Sequence, residues 1–318
     1  MGTAATAGDP ERRHDHEHAH EHDTSTTRGE HADMRITVMG MGNMGRAIAT
    51  RLCRTGHDVV VWNRTPGRAN EVLDVGATEA GTVAAAADGA EAVVLSLADD
   101  DAVLDLLFGS PSLSTVLGDA VLVDSSTVAP ATSRREAAEV PGGAMVASPV
   151  LGAPRAVADG SASYLVAGPR TSIERLAPMW DALSASWRVL GDDPGTATTW
   201  KVLSNTLLMA GVSVVAEVVA TAQRAGIADE LLTDLLTTSP MVAPGLHNRI
   251  ANIVGDTHDG WFSGRLGAKD LRLTEELAAG CGLTLPVTAS VRRRYEAMTD
   301  AGIDGDDIAA VVELARRS

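Results

Sequence analysis

Met34-Arg35-Ile36-Thr37-Val38-Met39-Gly40-Met41-Gly42-Asn43-Met44-Gly45 is the stretch that decides the fold, because a short β-branched run feeds directly into G-x-G-x-x-G. The spacing predicts a strand, a tight turn and a helix N-terminus. Gly40 permits the turn, Gly42 lets a pyrophosphate approach the backbone, and Gly45 allows close helix–strand packing, with the helix amides facing the phosphates. A glycine pattern alone is weak, but the flanks fit: a strand-like run precedes it, and Met44 to Arg54 follows with Ala, Ile and Leu at helical spacing. The expected dinucleotide site is Gly40, Met41, Gly42, Asn43, Met44 and Gly45.

The next strand bears on which dinucleotide fits. About 18 residues beyond Gly45, the run Asp58 to Trp62 ends in Asn63-Arg64-Thr65, where a site selective for NAD places a carboxylate for the ribose hydroxyls. No acid stands there. The planar fork of Arg64, with the Thr65 hydroxyl and Arg68 nearby, suits a 2′-phosphate, so NADP(H) is expected ahead of NAD(H). A solvated surface arginine is the plain alternative.

The chain has 318 residues, too many for one ordinary core, and 45% of them are hydrophobic. Its 42 acidic residues against 26 basic give a net charge of −16, which argues against nucleic acid or an anionic membrane as partner. An anionic substrate then needs a local basic site. Cys53 and Cys281 lie far apart without metal-ligand spacing, which fits a reduced, cytoplasmic compartment. No uninterrupted apolar run reaches the roughly 18 residues of a membrane helix, and the first residues lack the apolar stretch of a signal peptide. The first 33 residues hold six of the nine histidines, interleaved with Asp and Glu. Such a segment cannot build a core, so a disordered tail is expected over 1–33, with loose binding of Zn, Ni or Cu as the alternative and Met34 as a candidate start.

From Met34 to about Leu190, apolar runs alternate with helical segments, the pattern of a parallel sheet covered on both faces. Strands are expected near 35–40, 58–62, 92–97, 120–124, 144–149, 163–167 and 187–190, and helices near 44–55, 66–74, 99–107, 130–139 and 172–185. After Pro194-Gly195 the period changes. A stretch to about Ala225, apolar on nearly every side and free of proline, predicts a helix about 45 Å long. Further helices are expected over 228–238, 242–254, 268–280, 286–301 and 306–316. The reading is α/β: a Rossmann-type doubly wound sheet in a dinucleotide-binding domain over 34–192, then an all-α domain over 193–318 for substrate and oligomerisation. A helix so apolar needs partners, which points to a homodimer or tetramer built through it.

Lys201 and Asn205 lie four apart within this helix, so both project from one face and reach one small molecule together. A Lys and Asn on a helix also fit a solvated face, but Trp200, Val202, Leu203 and Leu207 around them are apolar. In carbonyl reduction a positioned ammonium can stabilise the developing alkoxide and supply its proton.

Three further segments complete an ordered set: Asp124-Ser125-Ser126-Thr127-Val128-Ala129-Pro130, then Ser148 to Gly160, and Gly267-Ala268-Lys269-Asp270-Leu271. In this order and spacing the chain resembles the β-hydroxyacid dehydrogenases, which include 3-hydroxyisobutyrate dehydrogenase and glyoxylate or succinic semialdehyde reductases. The resemblance runs from about Met34 to Thr299. It implies Lys201 as catalytic acid/base, Asn205 as a substrate-orienting amide, Ser126 against the substrate, Thr127 near the nicotinamide, and Lys269 with Asp270 bordering the cofactor cleft. Helix capping before Pro130 is the alternative for Ser126 and Thr127, and Asp124 reads as structural.

The pattern departs from the family at Val150-Leu151-Gly152-Ala153, where the usual sequence is Val-Ser-Gly-Gly and grips the substrate carboxylate. Leu151 removes the hydroxyl and Ala153 narrows the approach. Gly152 still offers an amide to substrate, and Arg155 a charge. The resulting expectation is an NADP(H)-dependent oxidoreductase interconverting a small 3-hydroxy acid, or hydroxy compound, with its aldehyde or keto form. Imine reductases and reductive aminases resemble the same family but carry Asp or Tyr at the position of Lys201. A metal-handling or dinucleotide-sensing protein is the non-enzymatic alternative; no metal ligands are expected in the folded part.

Overall fold

The computed structural model describes residues 33–317, and the expected tail over 1–33 lies almost wholly outside them. The first region consists of β1 (Arg35–Met39), α1 (Asn43–Arg54), β2 (Asp58–Trp62), α2 (Asn70–Leu73), β3 (Thr78–Glu79), α3 (Val83–Ala87), β4 (Ala92–Leu95), α4 (Asp100–Phe108), β5 (Val121–Asp124), α5 (Pro130–Glu139) and β6 (Met145–Ala147). All six strands are parallel, in the order β3-β2-β1-β4-β5-β6. β4 and β5 are buried at every position, as strands covered on both faces must be. The order reverses between β1 and β4, which opens a crevice at the carboxyl ends of these strands. The sheet is therefore a Rossmann sheet.

The chain then departs from a single sheet. β7 (Val150–Leu151), α6 (Pro154–Asp159), β8 (Ser163–Val166), α7 (Arg170–Arg175), α8 (Ala177–Leu183) and β9 (Ser186–Val189) follow. β7 pairs antiparallel with β8, and β8 parallel with β9, in a second sheet of three strands. The strands expected at 163–167 and 187–190 thus do not extend the main sheet. β6 is three residues long, the chain turns at Ser148-Pro149, and β7 then covers the edge that β8 would have offered. An isolated bridge between Ala147 and Ala167 joins the two sheets.

Two expected helices are also shorter. The segment 66–74 becomes α2 because Gly67 sits at φ +78°, outside any helix. The segment 172–185 splits at Leu176 into α7 and α8, with Pro178 in the first turn of α8, where its missing N–H costs nothing.

The last region is helical: α9 (Pro194–Arg224), α10 (Asp229–Thr238), α11 (Ile250–Val254), α12 (Gly264–Gly280), α13 (Pro286–Asp300) and α14 (Val312–Arg316). The expected helix over 242–254 is a 3₁₀ turn, Pro244–Arg249, leading into α11, and that over 306–316 is a 3₁₀ turn followed by α14. Asp193 caps α9 by accepting from the Gly195 amide at 3.0 Å and pairs with Arg134 of α5 at 2.8 Å. One flank of α9, including Val202, Asn205, Met209, Val212, Ala216 and Val219, is buried against α5, α12 and α14. The other flank exposes Trp200, Leu207, Val214 and Val218, with Leu207 at 71%. Length and composition alone would let α9 cross a membrane, but its buried flank is part of the helical core. Sheet and helices belong to one compact unit, Ala32–Ser318, so the cleft between them is internal to it.

Candidate active site

The glycine loop leaves β1 with Gly40 at φ +100°. A Cβ there would strike the Ser96 carbonyl, and one on Gly45 would strike the Gly40 carbonyl. Both positions are closed to side chains, whereas Gly42 has nothing within 4 Å of an added Cβ. Space therefore lies where a pyrophosphate approaches. Gly42 caps α1 without a side-chain bond, and no acid stands in the first turn, so the leading amides face that space with their partial positive charge. The cradle fits a dinucleotide.

Asn63, expected to meet the cofactor, fixes the loop: Oδ1 accepts from the Met41 amide at 2.9 Å and Nδ2 donates to the Thr65 carbonyl at 2.7 Å. Asn43 accepts from Arg46 at 2.9 Å and donates to the Trp261 carbonyl at 3.2 Å, tying the loop to the helical region. Arg64, Thr65 and Arg68 are exposed beyond β2, and neither Arg64 nor Arg68 has a hydrogen bond or ion pair among the described residues.

A cavity of about 480 Å³ opens between the carboxyl ends of β4 and β5 and helices α9 and α12. Met44, Ser126, Thr127, Gly152, Lys201, Asn205 and Lys269 all line it, so the expected substrate residues and part of the cofactor set converge on one space. Gly152 is required by space: a Cβ would come within 2.9 Å of that of Ala162. The Lys201 ammonium donates to the Val150 carbonyl at 2.6 Å. Burial pulls its pKa down to about 8, against the charge of Asp270 and with help from that of Lys269. Asn205 donates to Asp270 Oδ2 at 2.6 Å.

Lys269 is a clamp across the cleft. Its Nζ donates to the carbonyls of Ala98 at 3.1 Å and Thr127 at 2.5 Å and pairs with Asp270 Oδ1 at 3.0 Å. Ser126 is buried; its Oγ accepts from the Leu97 amide at 2.9 Å, and its hydroxyl lies against Asp124, where it lowers that carboxylate's pKa against burial. Neither Ser126 nor Thr127 caps α5: the cap position is Ala129, whose amide donates to Asp100 at 2.8 Å. Asp124 is fully buried, and its Oδ1 accepts the Ser126 amide at 2.9 Å. Glu136 lies beside it, and among the described residues its carboxyl has no hydrogen-bond partner besides that of Asp124. Burial, reinforced by the Asp124 charge, pushes Glu136 strongly upward, so it keeps its proton.

The sequence reading missed Asn248, Arg249, Trp261 and Phe262, which also line the cavity. Arg155 is exposed on α6 and does not line it. Arg249 is 4% exposed, pairs with Asp307 at 3.2 Å and stacks over Trp261 at 4.5 Å from the ring centre. The available signal was one arginine between Leu246 and Ile250, apolar residues of the helical region's core. Among the described residues no group of three or more His, Cys, Asp or Glu is placed to hold a metal.

A dinucleotide cradle beside a cavity with a lysine of lowered pKa defines an NAD(P)-dependent oxidoreductase. Two family models cover nearly all of the described chain. The NAD binding domain of 6-phosphogluconate dehydrogenase matches residues 35–191, and the NAD-binding domain of NADP-dependent 3-hydroxyisobutyrate dehydrogenase matches residues 195–315. The chain belongs to the β-hydroxyacid dehydrogenase family. Glyoxylate/succinic semialdehyde reductase 1 of Arabidopsis thaliana is 26% identical over 288 residues, covering 90% of this chain and 99% of that one. The 3-hydroxyisobutyrate dehydrogenase of Pseudomonas aeruginosa is 29% identical over 293 residues, covering 88% and 98%. The solved 3-hydroxyisobutyrate dehydrogenase of Salmonella typhimurium shares the fold at a TM-score of 0.83 and 24% identity, over 89% of this chain and 100% of that one. An imine reductase of Streptomyces aurantiacus aligns less closely, with a TM-score of 0.60 and 26% identity, over 88% and 99%.

Proposed function

We propose that this protein is an NADP(H)-dependent reductase, or reversible dehydrogenase, that interconverts a small hydroxy acid with its aldehyde or keto form, using Lys201 as acid/base. The observation that carries this reading is the Lys201 ammonium, lowered to about 8 on the wall of the cavity. A group titrating there holds a proton at neutral pH and can release it to a developing alkoxide. The nicotinamide, when bound, supplies or accepts the hydride. Ser126 meets the substrate from the cavity wall, Asn205 orients it, and Gly152 lends its backbone. Residues 34–192 hold the cofactor, with the Gly40–Gly45 loop, Asn63 and Thr127 against it; residues 193–318 supply the lysine and the assembly surface.

NADP(H) is favoured because Arg64 and Thr65 are exposed at the end of β2, where no carboxylate competes for the ribose. Trp200, Leu207, Val214 and Val218 form an exposed apolar stripe on α9, which supports a homodimer or a larger assembly through that helix. Cys53 and Cys281, both free thiols, fit a cytoplasmic setting. A panel of short aldehyde acids, keto acids and cyclic imines assayed with NADPH and NADH tests the reading. Preferential reduction of carbonyls with NADPH supports it, and exclusive imine reduction replaces it.

A further inference from the structure

The carboxylate of such a substrate needs an anchor, and the loop over residues 150–153 keeps Gly152 but has no serine hydroxyl to offer. Leu151 and Ala153 present apolar surface to the cavity. Three cations line the walls: Lys201, Lys269 and Arg249. Lys269 is spent on the carbonyls of Ala98 and Thr127 and on Asp270. Lys201 is committed to proton transfer. Arg249 differs from both.

Its Nε donates to Asp307 Oδ1 at 3.2 Å, and Nη1 reaches Asn248 Oδ1 only at 3.5 Å. Nη2 has no hydrogen-bond partner among the described residues. Asp307 does not line the cavity, whereas Arg249 and Asn248 do, so the guanidinium stands between its carboxylate and the cavity. Asp307 is itself fixed, accepting from the amides of Trp261 and Phe262 at 3.3 Å each and of Ala309 at 3.1 Å. The Trp261 ring closes one face of the guanidinium. The fork is therefore held rigidly and mostly desolvated, with Nε paired, Nη1 only at 3.5 Å from Asn248 and Nη2 uncommitted, so its Nη1–Nη2 end can meet a carboxylate in two parallel hydrogen bonds. With Lys201 protonated, the three cations face two carboxylates, Asp270 and Asp307, leaving room for one negative charge.

We propose that Arg249 anchors the carboxylate of a monoanionic aldehyde or ketone acid, in place of the backbone grip that Leu151 and Ala153 have weakened. This deepens the reductase reading and rests on it. The test compares whichever short aldehyde acid the enzyme reduces fastest with the methyl ester of the same compound, in the wild type and in Arg249→Gln, Arg249→Lys and Arg249→Gln/Asp307→Asn. The double variant removes both charges, so that no unpaired carboxylate is left buried.

The wild type should prefer acid over ester by about 10- to 150-fold in kcat/KM, the range of a charge-assisted contact. The folded double variant should lose that preference through KM, its loss on the acid exceeding its loss on the ester by about 10-fold or more, and Arg249→Lys should fall between. Equal reduction of acid and ester by the wild type, or equal losses on both in the double variant, would overturn the assignment of Arg249 and leave the reductase reading standing. Reduction of neither compound series, with turnover of cyclic imines instead, would overturn the reading itself and the assignment with it.

Discussion

Asn205 of α9 and Asp270 of α12 meet at 2.6 Å, amide to carboxylate, at the inner wall of the cavity. The other oxygen of Asp270 pairs with Lys269 at 3.0 Å, and the aspartate's charge also raises the pKa of Lys201 against burial. One buried carboxylate thus orients the amide, holds the clamp and helps Lys201 keep its proton against burial.

Asp270→Asn should therefore shift the alkaline limb of the reduction profile. Removing a negative charge disfavours the ammonium, so Lys201 should lose its proton about one unit lower. Carbonyl reduction would then decline from near pH 7 instead of near pH 8. A pH profile of kcat/KM checks this, and an unmoved limb would separate Asp270 from Lys201.

Arg64→Ala should weaken NADPH binding by about 10- to 150-fold and leave NADH nearly unchanged, because the lost contact is charge-assisted and specific to the 2′-phosphate. Fluorescence titration of both cofactors reads the difference. Equal losses would remove Arg64 from the account.

The first region was largely legible because each strand–turn–helix unit is local. Gly40, Gly42 and Gly45 announce the turn, and the runs of β1, β2, β4 and β5 announce the sheet. The second sheet was not legible, since β7 is two residues long and its antiparallel pairing depends on where Pro149 turns the chain. Lys201 and Asn205 could be placed on one face by helical period alone. Arg249 could not: what makes it a site residue is Asp307, 58 positions away, together with Trp261. No periodicity encodes such a meeting. The sequence makes α9 apolar on nearly every side, and only the packed structure separates its buried flank from the one that exposes Leu207 and Val214.

Glu136→Gln tests the buried pair behind the Ser126 loop. The folded-state pKa of Glu136 is raised well above its ordinary 4.5. Folding therefore favours the protonated acid, an advantage complete below pH 4.5 and lost as pH rises toward the folded value. In that window the wild type should lose up to about 1.4 kcal/mol per pH unit from this group. The glutamine variant, with no proton to lose, should gain Tm relative to the wild type between pH 5 and pH 9. Parallel Tm curves would contradict it.

Leu207→Asp combined with Val214→Asp places charge on the exposed stripe of α9. If that stripe is the assembly surface, the variant should run at a lower mass by light scattering while keeping its secondary structure. An unchanged mass would move the interface elsewhere.

The central claim is that the Lys201 ammonium delivers the proton to the carbonyl oxygen. The direct measurement is turnover of Lys201→Met on the best carbonyl substrate, beside its NADPH affinity. The account predicts unchanged cofactor binding and a loss of about 10²- to 10⁴-fold in kcat. In the wild type, reduction should fall and oxidation rise as pH passes about 8. Near-normal turnover by Lys201→Met would contradict it.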